Sequence, residues 1–207
     1  MKGTDDSLYN LQRLTALLKP TWDGDRWWLL SFSHRGDAAD QQVLALIRAF
    51  KRNEARAVHW VSRQLQAVLV GEAARLRHQL QCRFLVAAPT HRPGGPSPAA
   101  VSTCQALAAA LPWLTWLPGA LQRTAPVTPS AGAPPSRRPG LEGHRHTLRY
   151  TGPRDARTEN AAFILFDDVL GTGATASACG QVLREQAGCP RVISLFIARV
   201  RDIPLLS

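Results

Sequence analysis

One stretch narrows what this chain can become more than any other: Phe163-Ile-Leu-Phe-Asp-Asp-Val-Leu-Gly-Thr-Gly-Ala-Thr175. Four apolar residues run into two adjacent carboxylates, Asp167 and Asp168, and a short Gly/Thr loop follows. An apolar run of that length, bounded by turn residues, reads as a buried strand, and the pattern from Ala174 to Glu185 reads as a helix. The expected unit is a strand that ends in the acidic pair, turns through Gly171 and Gly173 and opens a helix. The first N–H groups of such a helix, with the hydroxyls of Thr172 and Thr175, form a cup for a phosphate. Carboxylates beside a phosphate cup repel its occupant unless something lies between them. A ribose 5-phosphate fills that gap, with its hydroxyls on the carboxylates and its phosphate in the loop.

The rest of the chain supplies a frame for this unit. Leu8, Leu11, Leu14, Leu17 and Leu18 recur at helical spacing over residues 5–19, and Pro20 stops the pattern. Residues 26–33 read as an aromatic-rich strand whose Trp27 and Trp28 serve packing. Asp37 or Asp40 caps a helix through Val43, Leu46, Ile47 and Phe50. A second helical pattern runs from Val58 towards Gln81, with a kink or restart near Gly71. Residues 83–88 form a short buried strand followed by the Pro/Gly-dense loop Pro89–Ser97, and Ser97-Pro98 opens a helix to about Leu111. Trp113 to Leu117 reads as a short strand, and Val192 to Val200 as a last buried one, with Gly188 as the helix C-cap before it. Residues 122–159, rich in Pro, Gly, Ser, Arg and His, carry almost no apolar periodicity and read as one long loop. His144 and His146 in that segment are expected to be exposed. Strands alternating with helices indicate an α/β fold with a mostly parallel central sheet, in which ligands bind at the carboxyl ends of the strands. The Pro89 loop and the Asp167 loop both occupy such ends.

Charge is the unusual feature of the composition. The formal net charge is +10, carried almost wholly by arginine, since Lys2, Lys19 and Lys51 are the lysines. Arginine suits bidentate recognition of phosphates, so phosphorylated small molecules or nucleic acid are candidate partners, although a generic Ala/Leu/Arg/Pro bias accounts for scattered arginines equally well. Cys82, Cys104, Cys179 and Cys189 are widely spaced without a C-x-x-C pair, which argues against a zinc site and reads as small core residues of a reduced protein. No apolar run reaches membrane-spanning length and no signal peptide is evident, so a cytoplasmic location without a membrane partner is expected.

Ile164-Leu-Phe-Asp-Asp-Val-Leu-Gly-Thr-Gly-Ala-Thr175 resembles the phosphoribosyl-pyrophosphate (PRPP) motif of type I phosphoribosyltransferases, with Gly171 where the commonest form has Thr. Within that superfamily the chain is similar to the ComF competence family. The likeness rests on residues 28–36 with 43–51, on Phe84 to His91 with its Pro-x-His ending, on Arg154-x-x-Arg157-x-x-Asn160-Ala-Ala-Phe163, and on Val192 to Arg199. The family's usual N-terminal four-cysteine zinc finger has no counterpart here, and Pro93-Gly-Gly-Pro-Ser97 stands where the family has Arg-Gly-(aromatic)-Asn-Gln.

The resemblance implies a type I phosphoribosyltransferase-like fold with a small N-terminal helix/strand extension. It implies an N-terminal segment of residues 1–81 on a core of residues 82–207, one compact unit, with 122–159 as a flexible hood. Asp167 and Asp168 would be the catalytic pair gripping the ribose hydroxyls, and Leu170, Gly171, Thr172, Gly173, Ala174 and Thr175 would hold the 5-phosphate. Thr90, His91 and Arg92 would hold pyrophosphate, and Arg154 or Arg157 would close as a lid. Mg²⁺ would enter on the substrate, touching Asp167 and Asp168 directly or through water. The implied function is binding of PRPP or a related ribose 5-phosphate, with phosphoribosyl transfer and pyrophosphate release as its enzymatic form. The alternatives are a non-catalytic protein of DNA uptake or processing and a nucleobase salvage enzyme. Candidate partners under these readings are single-stranded DNA, competence proteins and a second copy of the chain.

Overall fold

In the computed structural model, which describes residues 9–128 and 140–205, the chain alternates helices and strands from its first described turn. Helix α1 (Leu11–Ala16) is capped by Asn10, whose side chain accepts from the N–H groups of Gln12 and Arg13. The expected start of that helical pattern, including Leu8, lies outside the described residues. Strands β1 (Thr21–Asp23) and β2 (Arg26–Phe32) form an antiparallel hairpin about Gly24, whose φ of +59° suits a residue without Cβ. Helix α2 (Ala38–Lys51) starts where Asp37 accepts from the N–H groups of Ala39 and Asp40. Helix α3 (Ala55–Gly71) ends where a break is expected, and a π-helical turn, Arg75–Gln79, follows it.

Strand β3 (Cys82–Ala87) leads through the Pro89 loop to α4 (Pro98–Ala110), where the Ser97 hydroxyl accepts from Ala100 N–H and Pro98 sits in the first turn. Short β4 (Thr115–Trp116) and β5 (Leu121–Arg123) follow. The described part of residues 122–159, expected as one long loop, holds α5 (Leu141–Arg145), β6 (Leu148–Tyr150) and α6 (Ala156–Glu159). Strand β7 (Ala162–Leu170), α7 (Ala174–Val182) with a π-helical turn at Leu183–Ala187, and β8 (Val192–Val200) complete the order.

Six strands make the main sheet in the order β1-β2-β8-β7-β3-β4. Every pairing from β2 to β4 is parallel, and only the β1 edge is antiparallel. The chain is therefore α/β with a mostly parallel, mixed sheet between helices. β2 is hydrogen-bonded between β1 and β8, so the described part of residues 1–81 shares one sheet with the later strands.

Strands buried on both faces explain the apolar runs at 163–166 and 192–198, the second interrupted only by the buried Ser194. One face packs Trp27, Leu29, Leu85, Ile164 and Phe166 against α2, α3 and α4. The other packs Trp28, Phe84, Val86, Phe163, Leu165 and Phe196 against α7. Phe163, Phe166 and Phe196 are fully buried, and each stabilises the fold by roughly 1.5–3 kcal/mol. A two-stranded antiparallel sheet, β5–β6, rests on the α7 side through Leu121 and Leu148. All four cysteines are buried and unpaired. Among the described residues no helix is long and apolar enough to cross a membrane.

Candidate functional site

Parallel strands present their carboxyl ends on one side, and three chemistry-bearing segments meet that side: the end of β7, the Pro89 loop after β3, and the carboxyl end of β8. The strand does not stop at the acidic pair, as its apolar run alone suggests. β7 stays paired to β8 through Asp167↔Phe196, Val169↔Ala198 and Leu170↔Arg199. Sheet hydrogen bonds thus fix the backbone on both sides of the carboxylates, and adjacent strand residues leave the sheet on alternate faces. Asp168 meets the end of α2, where Lys51 Nζ lies 3.2 Å from its Oδ2. Asp167 Oδ1 accepts from the Asp168 N–H at 2.9 Å, on the face that carries β5 and α7.

Burial, reinforced by the negative charge of Asp168, raises the Asp167 pKa to about 7, while Lys51 and Arg123 work in the other direction. A carboxyl shifted towards neutrality by burial and a neighbouring like charge, at a strand end, is a candidate functional group.

The loop after Leu170 has the local geometry a phosphate cup needs. Gly173 adopts φ +86°, a left-handed conformation that a residue with Cβ enters at a cost, and its carbonyl accepts the first helical hydrogen bond from Ser177 N–H at 2.8 Å. Thr172 Oγ1 accepts from Ala174 N–H at 3.3 Å, so one expected donor of the cup is held by the loop itself. A Cβ on Gly171 would meet nothing within 4 Å, leaving that corner open. A Cβ on Gly173 would lie 3.7 Å from the Arg26 guanidinium carbon, so Arg26 flanks the loop. Arg199, in register with Leu170, stacks over Trp28 at 5.0 Å.

A buried Arg–His pair joins this loop to the Pro89 loop. Arg123, at the end of β5, is 3 % exposed and His144, on α5, is 4 % exposed. Arg123 Nε donates to the Thr90 carbonyl at 2.7 Å, Nη1 donates to the Thr147 hydroxyl, and Nη2 lies 3.4 Å from His144 Nδ1. The other ring nitrogen, Nε2, lies 3.5 Å from Thr175 Oγ1. Burial first, and then the Arg123 charge, lowers the His144 pKa to about 4, so the imidazole is neutral at physiological pH. The expectation that His144 is exposed is thus corrected: α5 packs on α7 and turns the ring inward, whereas His146, two residues on, stays in solvent beside Glu142.

The Pro89 loop is anchored rather than loose. Gly94, at φ +115°, exchanges both backbone hydrogen bonds with Arg123 at 2.8 Å, Thr90 N–H donates to Gly95 at 3.2 Å, and the His91 carbonyl accepts from Val127 N–H at 2.9 Å. The side chains of His91 and Arg92 are exposed at the same end of the sheet as the acidic pair, and Thr90 is half-buried.

Arg154 and Arg157 are placed elsewhere. They belong to the turn and short helix that enter the amino end of β7, opposite the carboxylates. Arg157 pairs with Asp155 at 3.0 Å and Arg154 with Glu159 at 3.4 Å. Asn160 caps the same short helix by donating to the Ala156 carbonyl at 2.7 Å.

The structure therefore brings Asp167, Asp168, the 170–175 loop and Thr90–Arg92 to one end and adds Lys51, Arg26, Arg123 and His144. Of these additions, Lys51 carried a visible signal, as the sole lysine of the helix that ends beside the site. No protein-family model matches the chain, and no curated protein matches it.

Proposed function

We propose that this chain binds a ribose 5-phosphate, PRPP in the first instance, at the carboxyl end of β7. The observation that carries the reading is the adjacent pair Asp167–Asp168, fixed in a strand and followed by an open loop whose left-handed Gly173 starts α7. In this reading the loop from Leu170 to Thr175 takes the 5-phosphate through backbone N–H groups and Thr hydroxyls, and the carboxylates take the ribose hydroxyls. Arg26 beside Gly173 adds the cation that a phosphate favours.

Mg²⁺ fits the oxygen chemistry of Asp167 and Asp168. Among the described residues no group of three or more His, Cys, Asp or Glu gathers to hold a metal. When bound, it would neutralise a diphosphate leaving group. The chain's own contribution would be Lys51, already beside Asp168, with His91 and Arg92 at the exposed rim. Phosphoribosyl transfer by a ComF-like, type I phosphoribosyltransferase-like fold is the enzymatic form of this proposal, supported by the parallel sheet with its acidic loop at the carboxyl ends.

A non-catalytic role on single-stranded DNA draws on the +10 charge. It has less support, because many described arginines are already spent on carboxylates: Arg52 on Glu54, Arg145 on Glu185, Arg191 on Asp25 and Arg201 on Asp40.

Calorimetry with PRPP and with ribose 5-phosphate, each with Mg²⁺, tests the proposal directly. Saturable heat that disappears in the Asp167→Asn/Asp168→Asn double variant is expected. Binding that the double variant retains would assign the ligand to another surface.

A further inference from the structure

Arginine in proteins only donates hydrogen bonds. The contact from Arg123 Nη2 to His144 Nδ1 therefore obliges Nδ1 to accept. A neutral imidazole that accepts at Nδ1 carries its proton on Nε2, and the group facing Nε2 is Thr175 Oγ1. The hydroxyl oxygen of Thr175 is then an acceptor from the ring, and its hydrogen is left to point elsewhere. Thr175 lies in the second position of α7, four residues after Gly171, whose would-be Cβ meets nothing within 4 Å.

Direction along this chain is thus set from one end. Arg123 is itself oriented by the Thr90 carbonyl and the Thr147 hydroxyl, and Thr147 Oγ1 donates onward to the His144 carbonyl at 2.8 Å. No member of the set can reverse without leaving a buried polar atom unpaired.

We propose that Arg123 and His144 are positioning residues that fix the Thr175 hydroxyl as a hydrogen-bond donor to the phosphate of a sugar-phosphate ligand, and tie that donor to the loop carrying Thr90. The inference rests on the ribose 5-phosphate reading of the site. It assigns a role to two residues that touch no ligand and that belong to β5 and α5 rather than to the motif. A threonine hydroxyl free to rotate spends part of its time presenting lone pairs to an anion. One that already accepts from the ring has a lone pair occupied, which biases its hydrogen towards the anion.

Two measurements on the full chain test this. Nitrogen-15 correlation spectra of the histidine rings report the tautomer in the native protein, where Nε2–H is expected for His144. Calorimetry with ribose 5-phosphate compares the native protein with His144→Leu and His144→Gln. Leu removes both contacts, and the loss of one hydrogen bond to a charged group is expected to weaken affinity about tenfold or more. Gln offers an oxygen to Arg123 and an N–H to Thr175, and is expected to recover most of the affinity. An Nδ1–H tautomer, or an imidazolium at neutral pH, would overturn the proposal whatever the affinities. So would equal weakening in both variants, which would make His144 a packing residue. If the native protein binds and His144→Leu binds as tightly, the relay alone falls. If the native protein does not bind ribose 5-phosphate, the reading of the loop falls and the relay falls with it.

Discussion

Lys51 Nζ lies 3.2 Å from Asp168 Oδ2, joining the last residue of α2 to the acidic end of β7. The ammonium is half exposed, so the pair contributes no more than about 1 kcal/mol to folding. Its weight is electrostatic and local, because the same charge holds down the pKa of Asp167. Replacing Lys51 by Met is expected to leave the melting temperature nearly unchanged while moving the Asp167 titration upward. Carboxyl carbon-13 shifts followed against pH would check this, and a stationary midpoint would count against the assigned geometry.

Asp167 and His144 give opposing pH dependences. Asp167 has a folded pKa near 7, above its unfolded value, so its effect on stability is most favourable below the unfolded pKa and is lost as pH rises towards 7. His144 has a folded pKa near 4, below its unfolded value, so its stability contribution is present above the unfolded pKa and lost as pH falls towards 4. Between those limits the two slopes partly cancel. Asp167→Asn removes one of them, and denaturant melts of that variant are expected to show higher stability at neutral pH together with a steeper loss in acid. Parallel curves for variant and native protein would contradict the burial of Asp167.

Ligand affinity should follow the same carboxyl. Ribose hydroxyls and Mg²⁺ favour the charged carboxylate, so affinity for ribose 5-phosphate with Mg²⁺ is expected to rise as pH increases through about 7 and then level off. Calorimetry across that range is the check.

The glycines of the loop are not equivalent. Gly171 has open space around a would-be Cβ, so Gly171→Thr is expected to fold normally and to bind ribose 5-phosphate more tightly through an added hydroxyl. Gly173→Ala meets ordinary contacts at 3.6 and 3.7 Å but forces a left-handed alanine, at a cost of about 1 kcal/mol. Melts and titrations of both variants separate conformational cost from lost space.

Arg123→Met should be the most damaging of the single changes considered. It strips partners from Thr90, Thr147 and His144 in a buried place, a loss of about 1–3 kcal/mol for each polar group left unsatisfied. Lysine lacks the planar fork, so Arg123→Lys is expected to recover little. By contrast, Arg157→Ala, at the amino end of β7, is expected to leave ligand affinity unchanged.

Legibility in the sequence followed the range of the interactions. The β7–α7 unit could be read because its apolar run, its acidic pair and its glycines are contiguous. The Ser97 cap was equally plain, since a cap acts within three residues of itself, whereas the α2 cap was narrowed only to Asp37 or Asp40 and the structure shows Asp37. β5 and β6 were hidden because three-residue strands show no periodicity, and a Pro- and Arg-rich neighbourhood masked them. Arg123 and His144 resembled every other polar residue of that segment. Their burial depends on partners at positions 90, 147 and 175, and distance along the chain leaves no local trace. The divergence of Asp167 and Asp168 to separate surroundings likewise follows from β7 continuing to Leu170, which the turn residues after it do not announce.

The strand order also sets a timetable. β2 ends at residue 32, yet its parallel partner β8 begins at residue 192. At ordinary synthesis speeds, on the order of ten seconds separates the emergence of the two. During that interval β2 has only β1 as a paired strand, although α2 and α3 are already present to cover one face of Trp27, Leu29 and Leu30. The sheet can close only when its final strand arrives, so a ribosome that stalls before residue 192 leaves an open, aromatic-rich edge for chaperones to shield.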